Sequence, residues 1–103
     1  MDSKRQHKLH TQARNEIGPL LDRLIVELDA EGSATQKAHF KRIRSNLYGA
    51  DNEFGLTTPI IELSSCMAMG FRFSSTADAL VMRILKKTEA LVAELAGTTP
   101  RIH

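Results

Sequence analysis

Ala77-Asp78-Ala79-Leu80-Val81-Met82-Arg83-Ile84-Leu85-Lys86-Lys87-Thr88-Glu89-Ala90-Leu91-Val92-Ala93-Glu94-Leu95 decides the fold. Positions 77, 81, 84, 88, 91 and 95 recur at alternating steps of four and three, the spacing of one helix face, with Thr88 the only polar member. Leu80, Leu85 and Val92 widen that stripe well beyond a two-residue seam. Ser75-Thr76-Ala77-Asp78 supplies an N-terminal signature, and Gly97 followed by Pro100 a stop. The spacing predicts a helix from about Thr76 to Ala96.

The same period appears at the other end of the chain. Leu9, Ala13, Ile17, Leu20, Leu24 and Leu28 trace one face of a helix expected over Ser3 to Asp29. Gly18-Pro19 interrupts it. Proline has no backbone N–H and clashes with the preceding turn, so a kink or a break is expected there. Glu31-Gly32 ends this helix. Ser33-Ala34-Thr35-Gln36 reads as a capping box opening a helix from Ala34 to about Tyr48. Ala38 or Phe40, with Ile43 and Leu47, face inward, and Gly49 is expected as a left-handed terminator. Residues 49–57 read as a loop. Thr58 as N-cap and Pro59 at the first helical position predict a further helix running to about Met69 and stopping at Gly70. No segment alternates with period two. The expectation is an all-α bundle of about four helices in a single domain over residues 1–103, with an N-terminal arm (1–8) and a C-terminal tail (98–103).

Composition agrees with a small globular chain. The 103 residues are 42% hydrophobic and 25% charged, which excludes disordered and collagen-like classes. With no Trp and 5% aromatics the core must be aliphatic. The longest apolar runs fall far short of the ~20 residues a membrane span needs. One cysteine, Cys66, permits no intrachain disulfide, and the polar, basic start reads as no secretory leader. The expected compartment is the cytoplasm.

Catalytic and metal chemistry find little footing. His7 and His10 lie one helical turn apart, but a metal site needs three or four converging ligands, and only Asp2 lies near. They read as exposed histidines. Cys66 sits between Ser65 and Met67 among small and apolar residues, a setting for burial rather than for a lowered thiol pKa. Ser64-Ser65 lacks the glycine frame of a nucleophile elbow, and Gly49, Gly55 and Gly70 make no phosphate loop. We therefore expect no enzyme, no cofactor and no metal.

Function must then be sought on surfaces. The formal charge is +2, and the basic excess lies in the first half: nine basic and six acidic residues over 1–48, five and six over 49–103. Lys37, Lys41 and Arg44 fall at i, i+4 and i+7, with Arg42 beside them and no acid between residues 33 and 48. The stripe reads as a solvated helix face, as a docking point for an acidic protein, or as a phosphate-contacting surface for nucleic acid. Nine loop-like residues after Tyr48 argue against a helix-turn-helix. The last helix offers more. Leu80, Ile84, Leu91 and Leu95 return to one side of it, and its apolar stripe is broader than three short neighbours readily bury. We expect these four residues at a partner or dimer interface, and the chain as a homodimer.

The helices Leu9–Leu28 and Ala77–Leu95, in a chain of this length, resemble the small all-helical antiactivators of bacterial quorum sensing, of the QslA and TraM kind. The resemblance implies a non-catalytic regulator that binds a LuxR-type transcription factor and blocks its dimerisation or DNA binding. It assigns no individual functional residue. The rival expectation is a nucleic-acid-binding regulator using helix 34–48.

Overall fold

The computed structural model describes residues 2–65 and 70–98. Helices α1 (Asp2–Glu16) and α2 (Gly18–Ala30) form one long helix bent by 33° at residue 17. Followed by α3 (Ala34–Tyr48), α4 (Glu53–Ser65) and α5 (Ser75–Thr98), they make an all-α globule of four helices. The bend has the expected cause. Pro19 cannot donate to the carbonyl four residues back, while Ile17 N–H still bonds Ala13 O (2.8 Å) and Leu21 N–H bonds Ile17 O (2.9 Å), so the helix bends without breaking. Residues 2–8 of the expected N-terminal arm are the first turns of α1, and Met1 lies outside the described residues.

The predicted face of the first helix is the buried one. Leu9, Ala13, Ile17, Leu20, Leu24 and Leu28 all lie inside, joined by Leu21. The α2–α3 turn is a Schellman motif. Gly32 takes φ 74°, Ser33 N–H bonds Leu28 O (2.9 Å) and Gly32 N–H bonds Asp29 O (3.1 Å). A side chain at that φ would clash with its own backbone, so the glycine sets the turn. With three residues between them, α2 and α3 run back on each other, and α2 packs most extensively on α3 and then on α5.

Five local expectations fail. Ser33 is the N-cap of α3, but its hydroxyl makes no cap bond, and Gln36 does not reach back. The Gln36 amide instead donates to Arg72 O (2.8 Å), tying α3 to the segment before α5. Gly49 is not left-handed. It has φ −83°, and α3 ends in a tight turn with Ala50 N–H on Leu47 O (3.2 Å). Residues 53–57 are not loop. Asn52 caps α4 by accepting from Gly55 N–H (3.0 Å), and Pro59 lies inside the helix. Burial of Leu56 outweighs the broken ladder at the proline. At the far end Gly97 lies within α5 rather than after it. The cap of α5 is Ser74, one residue before the predicted cluster, with its Oγ accepting from Ala77 N–H (3.1 Å). The predicted end of α4 near Met69 lies outside the described residues.

Among the described residues the core is aliphatic with one buried aromatic, Phe40, whose ring centroid lies 6.1 Å from that of Phe73. Ala77, Val81, Ile84, Thr88 and Leu91 of α5 are buried, as the period predicts. Thr88 satisfies its hydroxyl on Ile84 O, 2.8 Å away in the preceding turn. The chain measures 47 × 25 × 17 Å, so it is little more than two helix layers thick.

Candidate functional site

The faces of α5 divide by burial. Its inner face is the central strip of the core. Leu80, Ile84 and Leu91 belong to that strip, with Leu80 only 9% exposed, and Leu95 packs half-buried against it. The residues expected at an interface therefore serve the subunit's own interior. They are not on an accessible face, because α1, α2 and α4 all pack on α5 and cover the stripe.

What α5 leaves uncovered lies beside and opposite that strip. Met82 is 53% exposed and Val92 42%, with Leu85 half-buried between them. On α4, Ile61 is 57% exposed, one turn before Ser64 and on the same side of the helix. Between the two helices lies an open groove of ≈ 590 Å³. Ser64 of α4 forms one wall, and Met82, Leu85, Lys86, Thr88 and Glu89 of α5 form floor and rim. Its lining is mainly apolar. Arg83 and Lys86 put two positive charges on the rim and Glu89 one negative charge, and Ser64 is small enough for a side chain or helix to approach. Met82 and Ile61 went unnoticed in the sequence. Their signal was present: of Ile60-Ile61 one side chain must point away from the core, and Met82, Lys86, Glu89 and Ala93 fall on one line of a helix.

The basic residues of α3 have other work. Lys37 Nζ pairs with Asp29 of α2 (2.6 Å) and Arg42 Nε with Glu62 of α4 (3.3 Å). Arg44 pairs with Asp22 of α2 and stacks over Tyr48, 4.7 Å from the ring centroid. Glu62 also accepts from Asn46 Nδ2 (2.8 Å). Only Lys41 of the four is exposed with no ion pair to a described residue. The stripe fastens α3 to its neighbours, and surface pairs of this kind are weak and screened by salt. The Asp29 carboxyl accordingly sits below its ordinary range, chiefly through the hydrogen bond and charge of Lys37.

Histidine placement corrects one expectation. His10 is buried, not exposed, since it follows Leu9 on the inner side of α1. The side chain of His7, together with Cys66 and His103, lies outside the described residues. Among the described residues no three of His, Cys, Asp and Glu converge as metal ligands, and no helix is long and apolar enough to cross a membrane. His39 is half-buried, edge-on to Phe40 and Phe71, each with ring centroids 5.3 Å away. Its Nε2 is buried without a hydrogen-bond partner. Burial, and secondarily the Arg42 charge, push its pKa below the ordinary value, with Glu62 opposing. The unfolded chain therefore binds the proton more tightly. Stability from this group is complete above about pH 6.5 and is lost as pH falls toward the depressed folded pKa. The melting temperature should drop between pH 7.5 and 5.5, and His39→Phe should flatten that slope. An equal slope in both proteins would assign the effect elsewhere.

No family model, curated protein or solved structure matches the chain.

Proposed function

We propose that this chain is a non-catalytic regulator that acts by binding another protein through the groove between α4 and α5. The observation that carries the reading is the groove itself: exposed Met82 and half-buried Leu85 line it with Ser64, its lining is mainly apolar, and Ile61 is exposed one turn from Ser64 on α4. Exposed apolar residues scattered singly are ordinary, whereas a contiguous patch with a polar rim fits a docking site. An amphipathic helix laid into the groove would put its apolar side on Leu85 and its charges against Lys86 and Glu89. The resemblance to quorum-sensing antiactivators makes a LuxR-type transcription factor the partner of choice. The competing nucleic-acid reading has less support, because Lys37, Arg42 and Arg44 are already paired with carboxylates.

The test is displacement. Purified chain is titrated into a complex of a LuxR-type regulator from the same cell with its operator DNA. We expect release of the DNA. The Ile61→Glu variant should be roughly tenfold or more weaker, since a carboxylate without a partner is costly to desolvate. An operator complex that persists under excess folded chain sinks the antiactivator reading. Binding of the chain itself to duplex DNA, falling steeply with salt, would favour the nucleic-acid alternative.

A further inference from the structure

We propose that a second copy of this chain pairs with the outer face of α5, antiparallel, about a two-fold axis between Lys87 and Thr88. Successive residues of a helix turn by about 100°, so Met82, Lys86, Glu89 and Ala93 form one line, opposite the buried Leu80, Ile84 and Leu91. All four are exposed, as are Ala79 and Ala90 beside them.

The line is complementary to itself when reversed. Positions 86 and 89 are equidistant from the axis, as are 82 and 93, and 85 and 90. An antiparallel copy therefore sets Lys86 against Glu89 of the partner subunit, and the symmetry makes the pair twice. Met82 meets Ala93 of the partner subunit. Charge meets opposite charge and apolar meets apolar, as an isologous interface requires. Alanine at 90 and 93 lets the helices approach closely. Lys87, nearest the axis in sequence, points elsewhere and is held by Glu16 of α1 (3.1 Å).

A slab 17 Å thick gains a third helix layer by pairing on this face. The pairing shares Met82, Lys86 and Glu89 with the groove of the regulator reading, so a second copy and a foreign protein would compete for this face, and the two readings are told apart by separate readouts.

Sedimentation equilibrium over a concentration series tests it on four full chains: the unmodified protein, Lys86→Glu, Glu89→Lys, and the double reversal. The unmodified chain should be dimeric at micromolar concentration. Each single reversal sets like charges together twice and should weaken the dimer roughly tenfold or more. The double reversal restores opposite charges across the axis and should return the dimer to within a few fold. Both positions are exposed, and equal melting temperatures establish that the variants are folded. A monomeric unmodified chain at high micromolar concentration overturns the proposal, as do single reversals that dimerise normally and a folded double reversal that stays monomeric. Because operator release is read separately, a failed dimer leaves the antiactivator test intact, and the reverse also holds.

Discussion

Phe40→Ala should remove roughly 3–5 kcal/mol from the free energy of unfolding, the usual cost of deleting a buried phenyl ring. For a domain whose net stability is typically about 5–15 kcal/mol, that is a large share of the whole. The size follows from what the ring does. Phe40 is the one aromatic side chain fully buried among the described residues, in a chain with no Trp. Its ring meets His39 edge-on at 5.3 Å and Phe73 at 6.1 Å, and Phe73 in turn contacts Phe71. These rings join α3 to the segment that leads into Ser74, the cap of α5. The Gln36 amide on Arg72 O reinforces the same junction. Aliphatic side chains elsewhere have neighbours that can close part of a cavity, whereas a phenyl-sized void here is bordered by other rings that cannot slide into it. Urea denaturation measures the loss, and Phe40→Leu, which keeps most of the volume, should cost under about 1.5 kcal/mol. A loss below about 1 kcal/mol for the alanine variant would remove Phe40 from the core.

The long-period features of this protein could be read from its sequence because they depend on nothing but the helix repeat. The period places six positions of the first helix on one face and six of the last on another, and Leu95 alone among them retains appreciable exposure; Ile84, Leu91 and Leu95, expected at an interface, belong to the chain's own core or pack against it. Pro19 marked the bend for the same reason: a missing N–H acts locally. Ends were less legible. Ser33-Ala34-Thr35-Gln36 has the residues of a capping box, but Gln36 finds a better acceptor 36 residues away, and no local pattern reveals that bond. The surface was misread in two ways that share a cause. The cations of α3 look unpaired along their own helix, because Asp22, Asp29 and Glu62 lie on other helices. The apolar stripe of α5 looks too broad to bury, because its breadth shows how much surface needs cover and not which neighbour supplies it. Leu80, Ile84 and Leu91 are covered by the chain itself, and the large apolar residues left uncovered among the described ones are Val26, Tyr48, Ile61, Met82 and Val92.

Gly55→Ala should destabilise the protein by roughly 1–3 kcal/mol, the range for overpacking a tight site. Local preference predicts the opposite, since in an exposed helix the same change gains up to about 1 kcal/mol. The sign is decided by Ala50. A Cβ on Gly55 would lie 2.9 Å from Ala50 Cα and 3.0 Å from its Cβ. Ala50 is buried and is held through its N–H to Leu47 O. The obstacle is thus main chain at the α3–α4 junction, and no rotamer change relieves it. The strain falls on the first turn of α4, where Asn52 caps the Gly55 N–H and where Pro59 offers no donor to the Gly55 carbonyl. Thr57→Ala on the exposed side of the same turn should stay within about 0.5 kcal/mol and serves as the control. The pair of variants also separates two accounts of residues 53–58. If Thr58 capped a helix beginning at Pro59, Gly55 would sit in a loop and the alanine would be nearly neutral. A clear loss at Gly55 with none at Thr57 fixes the start of α4 at Glu53, and with it the register that places Ser64 on the groove and Ile61 one turn before it.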